Sequence, residues 1–172
     1  MLVTGALTLL FGRHETSDFW GDCLRAWWKT VRSQYRNVLR LVIYLDNGPK
    51  NSGTRTQFLK RMIQFADWSG LELHLVYYPP YHSKYNPIER CWSSLQKKWN
   101  GVLLTCWEVV CACALRMKWR GRHPGVLQLE GDYPTGVTVP REEMKHLNKR
   151  LERSATLSKY DIIIRPKRPR GR

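Results

Sequence analysis

The sequence lacks long apolar runs. No segment approaches the roughly 18 uninterrupted apolar residues that cross a bilayer, so no part of it reads as a membrane span. Residues 1–11 are apolar, but they carry neither the basic leader nor the small-residue cleavage site of a signal peptide, and they read as a strand. Paired cysteines are missing too. Cys23, Cys91, Cys106, Cys111 and Cys113 are odd in number, include no C-x-x-C pair and lie mostly in apolar helical stretches. Zinc would require paired spacings or histidines at finger distance. Buried reduced thiols are the expectation, and with them a cytoplasmic protein. Acidic residues are scarce: 14 Asp plus Glu stand against 29 Lys plus Arg, for a formal net charge of +15. A surplus spread along the chain favours a polyanionic partner, nucleic acid before anionic lipid. The bland alternative is a basic solvated surface with no specific ligand. No internal repeat occurs.

What is present is an alternation of strands and helices over 172 residues, enough for one buried core. Gly5–Phe11 is a short apolar run closed by Gly12. From Thr16 to about Tyr35, Phe19, Cys23, Trp27 and Val31 recur every four residues, the stripe of an amphipathic helix that Thr16 or Ser17 can cap. Leu39–Leu45 reads as a buried central strand ending in the turn Asp46-Asn47-Gly48-Pro49. Thr54–Trp68 reads as a helix with Phe58, Leu59, Met62, Ile63 and Ala66 inward and Gly70 as its stop. Leu71–Tyr78 is the next strand, ended by Pro79-Pro80. Pro87–Trp99 follows as a helix with Ile88, Trp92, Leu95 and Trp99 inward, and a fourth helix runs from about Thr105 to Trp119. This order predicts an α/β fold with parallel pairing across the helical crossovers. After Gly121 the composition loosens into loop signals. Pro140–Ser154 is a polar helix with Met144, Leu147 and Leu151 on one side, and the basic, proline-rich Arg165–Arg172 is expected to be disordered.

Two carboxylates stand out. Asp46 follows a strand, and ligands in open α/β sheets bind at the carboxyl ends of strands; its plainer role is to make the turn. Glu89 falls third after Asn86 and Pro87, a capping-box position, so capping is its plainer role. If the strands before Asp46 and before Pro79-Pro80 are parallel neighbours, their ends lie side by side and both carboxylates are delivered to one edge. Carboxylates in a strongly basic protein suit Mg²⁺, which takes oxygen ligands and leaves positions open for phosphate.

Tyr-Leu-Asp-Asn-Gly-Pro (44–49) followed by Tyr-Pro-Pro-Tyr-His-Ser-Lys-Tyr-Asn-Pro-Ile-Glu-Arg-Cys-Trp (78–92) resembles the second and third acidic motifs of insertion-sequence DDE transposases. These share D-N-[GA] and P-P-…-N-P-I-E signatures with the mariner-like group, and the wording here is most similar to the ISAzo-type bacterial transposases. The resemblance runs from about Gly12 to Tyr133. It implies an RNase H-like mixed sheet flanked by helices and lacking its first two strands, with residues 1–120 as a partial catalytic domain, 121–164 as a C-terminal helical extension, and 165–172 as the disordered basic tail. It also implies catalytic and metal-binding roles for Asp46 and Glu89, supporting roles for Asn47, His82 and Asn86, and DNA contacts from Lys84, Arg90, Lys97 and Lys98. The cofactor implied is Mg²⁺ or Mn²⁺ in a two-metal site. DNA is the partner implied, as transposon ends and target, with a homo-oligomer in the complete protein and a DNA-associated, bacterial cytoplasmic location.

The family's first catalytic aspartate lies on a strand upstream of the element matching Gly5–Phe11, together with a second strand and a helix-turn-helix region. None of these has a counterpart in this sequence, and Asp18 and Asp22 fall on a helix. The expectation is a truncated domain, inactive alone, in which Gly5–Phe11 either pairs with Leu39–Leu45 or hangs loose. Two other readings stay open: a non-catalytic basic nucleic-acid-binding protein, and a different RNase H-like nuclease or integrase. Trp92 and Trp99 are expected in the core in each case.

Overall fold

The computed structural model describes residues 1, 4–79 and 86–169. Its strands are β1 (Thr8–Phe11), β2 (Arg40–Leu45), β3 (Glu72–Tyr77), β4 (Gly125–Gln128), β5 (Leu151–Arg153) and β6 (Asp161–Ile164). Its helices are α1 (Ser17–Val31), α2 (Thr56–Ser69), α3 (Ile88–Trp99), α4 (Trp107–Leu115) and α5 (Arg141–Asn148). The expected mixed α/β architecture is what forms. One sheet has the order β2-β3-β6-β5, parallel between β2 and β3 and antiparallel elsewhere; a separate parallel pair joins β1 to β4.

Local chemistry sets the element ends. Thr16 accepts a hydrogen bond from the Phe19 amide at 3.2 Å and so caps α1, whose Asp18 and Lys29 suit the two ends of the helix dipole. Gly70 ends α2 in the left-handed conformation (φ 73°), which glycine adopts without a Cβ penalty. Along β3, Leu73, Leu75 and Tyr77 are buried, alternating with half-buried Glu72, His74 and Val76. That inner face packs on α2, where Phe58, Leu59, Met62, Ile63, Phe65 and Ala66 are buried. Trp28 of α1, Leu45 of β2, Leu71, Met144 of α5, Leu151, Ile162 and Ile164 complete this larger cluster. A smaller one joins Leu9 of β1, Cys91 and Leu95 of α3, Ala114 of α4 and Met117.

Several sequence expectations need correction. β1 neither hangs loose nor pairs with β2: it pairs with β4, a four-residue strand hidden among loop signals, and Leu9 is buried there. β2 stands at the edge of its sheet and is not buried as expected; Val42 and Tyr44 are 42% and 47% exposed, because a continuous apolar run does not reveal how many of its faces are covered. The helix expected over 140–154 stops at Asn148, and Leu151 turns into β5 opposite Ile164. The fourth helix is shorter than expected, Trp107–Leu115. Trp92 points outward at 44% exposure, with Cys91 buried in its place, while Trp99 is half-buried. Cys91 and Cys113 are buried free thiols, but Cys106 is exposed just before α4. No helix among the described residues is long and apolar enough to cross a membrane.

Candidate metal centre

Asp46 is the first residue beyond β2. The Tyr78 amide donates to the Leu45 carbonyl at 2.9 Å, so the parallel ladder stays closed up to the residue that precedes the carboxylate. Leu45 lies opposite Tyr77, as the parallel reading of the two strands requires, and the Tyr44 and Tyr78 rings stand 6.0 Å apart at this edge. Burial of the Tyr78 phenol, with Tyr44 beside it, raises its pKa.

Beyond Asp46 the chain folds back on itself. Asn47 takes a left-handed backbone (φ 62°), which asparagine tolerates better than most residues. Its Oδ1 accepts from the Gly53 amide at 3.4 Å, and the Asn51 amide donates to the Gly48 carbonyl at 3.2 Å. Three other parts of the fold hold this loop. Ser17 Oγ, at the start of α1, donates to the Lys50 carbonyl at 2.8 Å. Arg153 of β5 donates to the Gly53 carbonyl at 2.9 Å and to the Ser158 carbonyl at 2.7 Å. Burial lowers the pKa of Arg153, and Tyr77, whose own pKa is raised by burial, opposes that shift. Finally, a Cβ at Gly53 would lie 2.2 Å from the Lys159 carbonyl oxygen, so the backbone before β6 presses on the loop at a point that only glycine allows.

Asp46 itself is exposed. Its Oδ1 accepts from Asn51 Nδ2 at 2.9 Å and from the Gly48 amide at 3.3 Å. The turn-making role is therefore real, but it uses one oxygen; no hydrogen bond to Oδ2 occurs among the described residues. A Cβ on Gly48 would lie 3.5 and 3.7 Å from the two Asp46 oxygens and 3.4 Å from Asn51 Oδ1. Asn51 is 3% exposed, and its Oδ1 is buried without a hydrogen-bond partner among the described residues. Three oxygens thus surround the point beside Gly48 where a Cβ would stand. An all-oxygen donor set of this kind fits a hard cation such as Mg²⁺ or Mn²⁺ and not a thiophilic one. Asn51 is the residue that sequence reasoning missed; its only signal was its place five residues after Asp46.

Glu89 lies in the first turn of α3 and is exposed. The capping box does not form. Pro87 is the N-cap, Asn86 Oδ1 accepts from the Ile88 amide at 3.3 Å, and the Glu89 carboxylate has no hydrogen-bond or ion-pair partner among the described residues. Both carboxylates therefore keep free oxygens, but on separate supports: Asp46 follows Leu45 of the larger cluster, and α3 packs into the smaller one through Cys91 and Leu95. No group of three or more His, Cys, Asp or Glu placed to hold a metal occurs among the described residues. His82 and Lys84 lie outside the described residues. Arg90, Lys97 and Lys98 are exposed on α3 with Trp92, and Ser93, Gln96, Lys97, Trp99 and Asn100 line a groove of about 460 Å³ beside them.

The family described as the Rhodopirellula transposase DDE domain matches residues 4–166, beyond both ends of the Gly12–Tyr133 resemblance, and so adds β1, α5, β5 and β6 to the stretch that the resemblance covers. Neither a curated protein nor a solved structure gives a match. The matched stretch includes both motif carboxylates and every strand of both sheets, and on that match the chain belongs to the Rhodopirellula transposase DDE domain family.

Proposed function

We propose that the chain supplies part of a metal-dependent centre for DNA strand cleavage and transfer, with Asp46 and Glu89 as two of its metal-binding carboxylates. The observation that carries this reading is Asp46: one oxygen fixed, the other free, at the carboxyl edge of a parallel strand pair in a DDE transposase domain. The mixed sheet with helices is consistent with an RNase H-like arrangement. Bound Mg²⁺ or Mn²⁺ would polarise phosphate oxygens and activate the attacking water or 3′-hydroxyl. The chain's own part is to hold the carboxylates and the DNA. Asn47 shapes the Asp46 loop, Asn86 accepts from the Ile88 amide in the turn presenting Glu89, and His82 belongs to the segment between β3 and α3. Arg90, Lys97 and Lys98 of α3, with Lys84, are assigned to phosphates of transposon-end or target DNA, and the complete protein is assigned as a homo-oligomer.

The motifs account for two carboxylates. A two-metal centre depends on positioning and charge stabilisation, so this chain by itself is expected to bind metal and DNA but not to join strands. Calorimetric Mn²⁺ titration of the wild type, Asp46→Ala and Glu89→Ala tests the assignment, and both variants should lose binding. Retention by both would leave the non-catalytic nucleic-acid-binding reading, which the exposed basic and aromatic face of α3 favours. In that case DNA affinity should fall steeply with salt and ignore both substitutions.

A further inference from the structure

We infer that Asn51 is a positioning residue for Asp46, an inference that rests on the metal-binding reading of that carboxylate. A lone exposed aspartate rotates among several carboxylate orientations, and a metal ligand must be held in one. The Asn51 side chain supplies the restraint: its Nδ2 donates to Asp46 Oδ1 at 2.9 Å, from a position 3% exposed. Its own backbone amide is fixed on the Gly48 carbonyl, so the donor is anchored at both ends. The amide cannot be turned the other way without placing Oδ1 against the Asp46 carboxylate, oxygen on oxygen.

The second half of the side chain carries the inference further. A buried acceptor without a donor is costly, of the order of 1–3 kcal/mol, and such atoms are rare enough in folded proteins to need a reason. Asn51 Oδ1 and both Asp46 oxygens lie 3.4, 3.5 and 3.7 Å from the point where a Cβ on Gly48 would stand, and Asn51 Oδ1 has no hydrogen-bond partner among the described residues. A hydrated cation held by Asp46 would bring hydrogen-bond donors beside Gly48, and Asn51 Oδ1 would be the acceptor for one of them. Asn51 thus acts twice, by turning Asp46 Oδ2 outward and by accepting from what the cation carries. At Gly48 φ lies outside the left-handed region and a Cβ would meet its nearest neighbours at ordinary contact distance, so the fold accommodates alanine, but its methyl group would stand among the three oxygens.

The test is an Mg²⁺ titration of the full chain followed by NMR of the Asn51 side-chain amide and the Asp46 carboxyl carbon. Both signals should move with one midpoint in the wild type. Asn51→Ala should raise that midpoint about tenfold, the usual effect of losing a partner that orients a metal ligand. Gly48→Ala should raise it while thermal stability is kept or improved, an outcome that a purely structural role for the loop does not predict. If Asp46→Ala leaves the midpoint unchanged, the metal-binding reading of Asp46 falls, and the inference with it. If Asp46→Ala abolishes binding but the Asn51 amide stays still in the wild type and Gly48→Ala binds normally, the inference alone is overturned. Those two readouts decide the matter even where Asn51→Ala fails to fold.

Discussion

The loop that carries Asp46 and the helix that carries Glu89 are built to different standards. The first is clamped to α1, to β5 and to the backbone before β6, over a cluster of sixteen buried residues. The second belongs to a cluster of five, made by the short β1–β4 pair and two helices. Local stability follows buried apolar contacts, so Asp46 sits on the firmer support and Glu89 on the softer one. The contrast teaches that the two carboxylates are not equally preorganised. The geometry of the pair depends on how the smaller cluster is held, while the orientation of Asp46 is settled within its own loop.

The most damaging change should be in the larger cluster. Phe58→Ala removes a ring that is 1% exposed and should cost about 3–5 kcal/mol in urea unfolding. Leu95→Ala, fully buried in the smaller cluster, should cost about 2–5 kcal/mol, with hydrogen exchange accelerating in β1, α3 and β4 before β2 and β3. Equal acceleration everywhere would erase the comparison. Gly53→Ala comes next: the new Cβ meets the Lys159 carbonyl, overpacking of this sort costs about 1–3 kcal/mol, and Mn²⁺ affinity should fall with stability because the Asp46 loop must shift. Thr16→Ala should cost about 1 kcal/mol through loss of the α1 cap, leaving Mn²⁺ binding intact.

The smallest expected effect is one of pH. Burial of Asp67 would raise its pKa, but hydrogen bonds from Arg150 and the Lys167 amide outweigh this and hold the carboxyl below its ordinary value. A lowered folded-state pKa gives stability that is fully present above the unfolded pKa of about 4 and is lost as pH falls through the folded value. The pair is partly exposed, so about 1 kcal/mol or less is at stake. Asp67→Asn should therefore be less stable than wild type at pH 6 and level with it at strongly acid pH, as measured by urea midpoints.

The two regions also differ in how far the sequence revealed them. In the larger one, helical stripes, the Thr16 cap, the Gly70 stop and the run before Asp46 are all local signals, and they located α1, α2, β2 and β3 to within a few residues. The strands that complete its sheet were not legible. β6 is four residues long, and Leu151 continues the three-to-four spacing of Met144 and Leu147, so only pairing with Ile164 makes it a strand. In the smaller region β1 was legible as a strand but its partner was not, since Gly125–Gln128 has no periodicity to read. Trp92 was placed inward because it shares helical spacing with Leu95, although Cys91 takes the buried position. At the site, the motifs pointed to Asp46 and Glu89, whereas Asn51 became visible only once the loop had closed on Asp46.

One measurement bears directly on the convergence of Asp46 and Glu89 at one metal. Fe²⁺ substituted for Mg²⁺ reduces added hydrogen peroxide to hydroxyl radicals, with ascorbate returning Fe³⁺ to Fe²⁺, and these cut the backbone next to where the ion binds. The account predicts cuts in the full chain both around residues 45–48 and around residues 87–90, suppressed by excess Mg²⁺ and absent in Asp46→Ala. Cuts confined to one of the two segments, or cuts that survive Asp46→Ala, would contradict a shared metal centre.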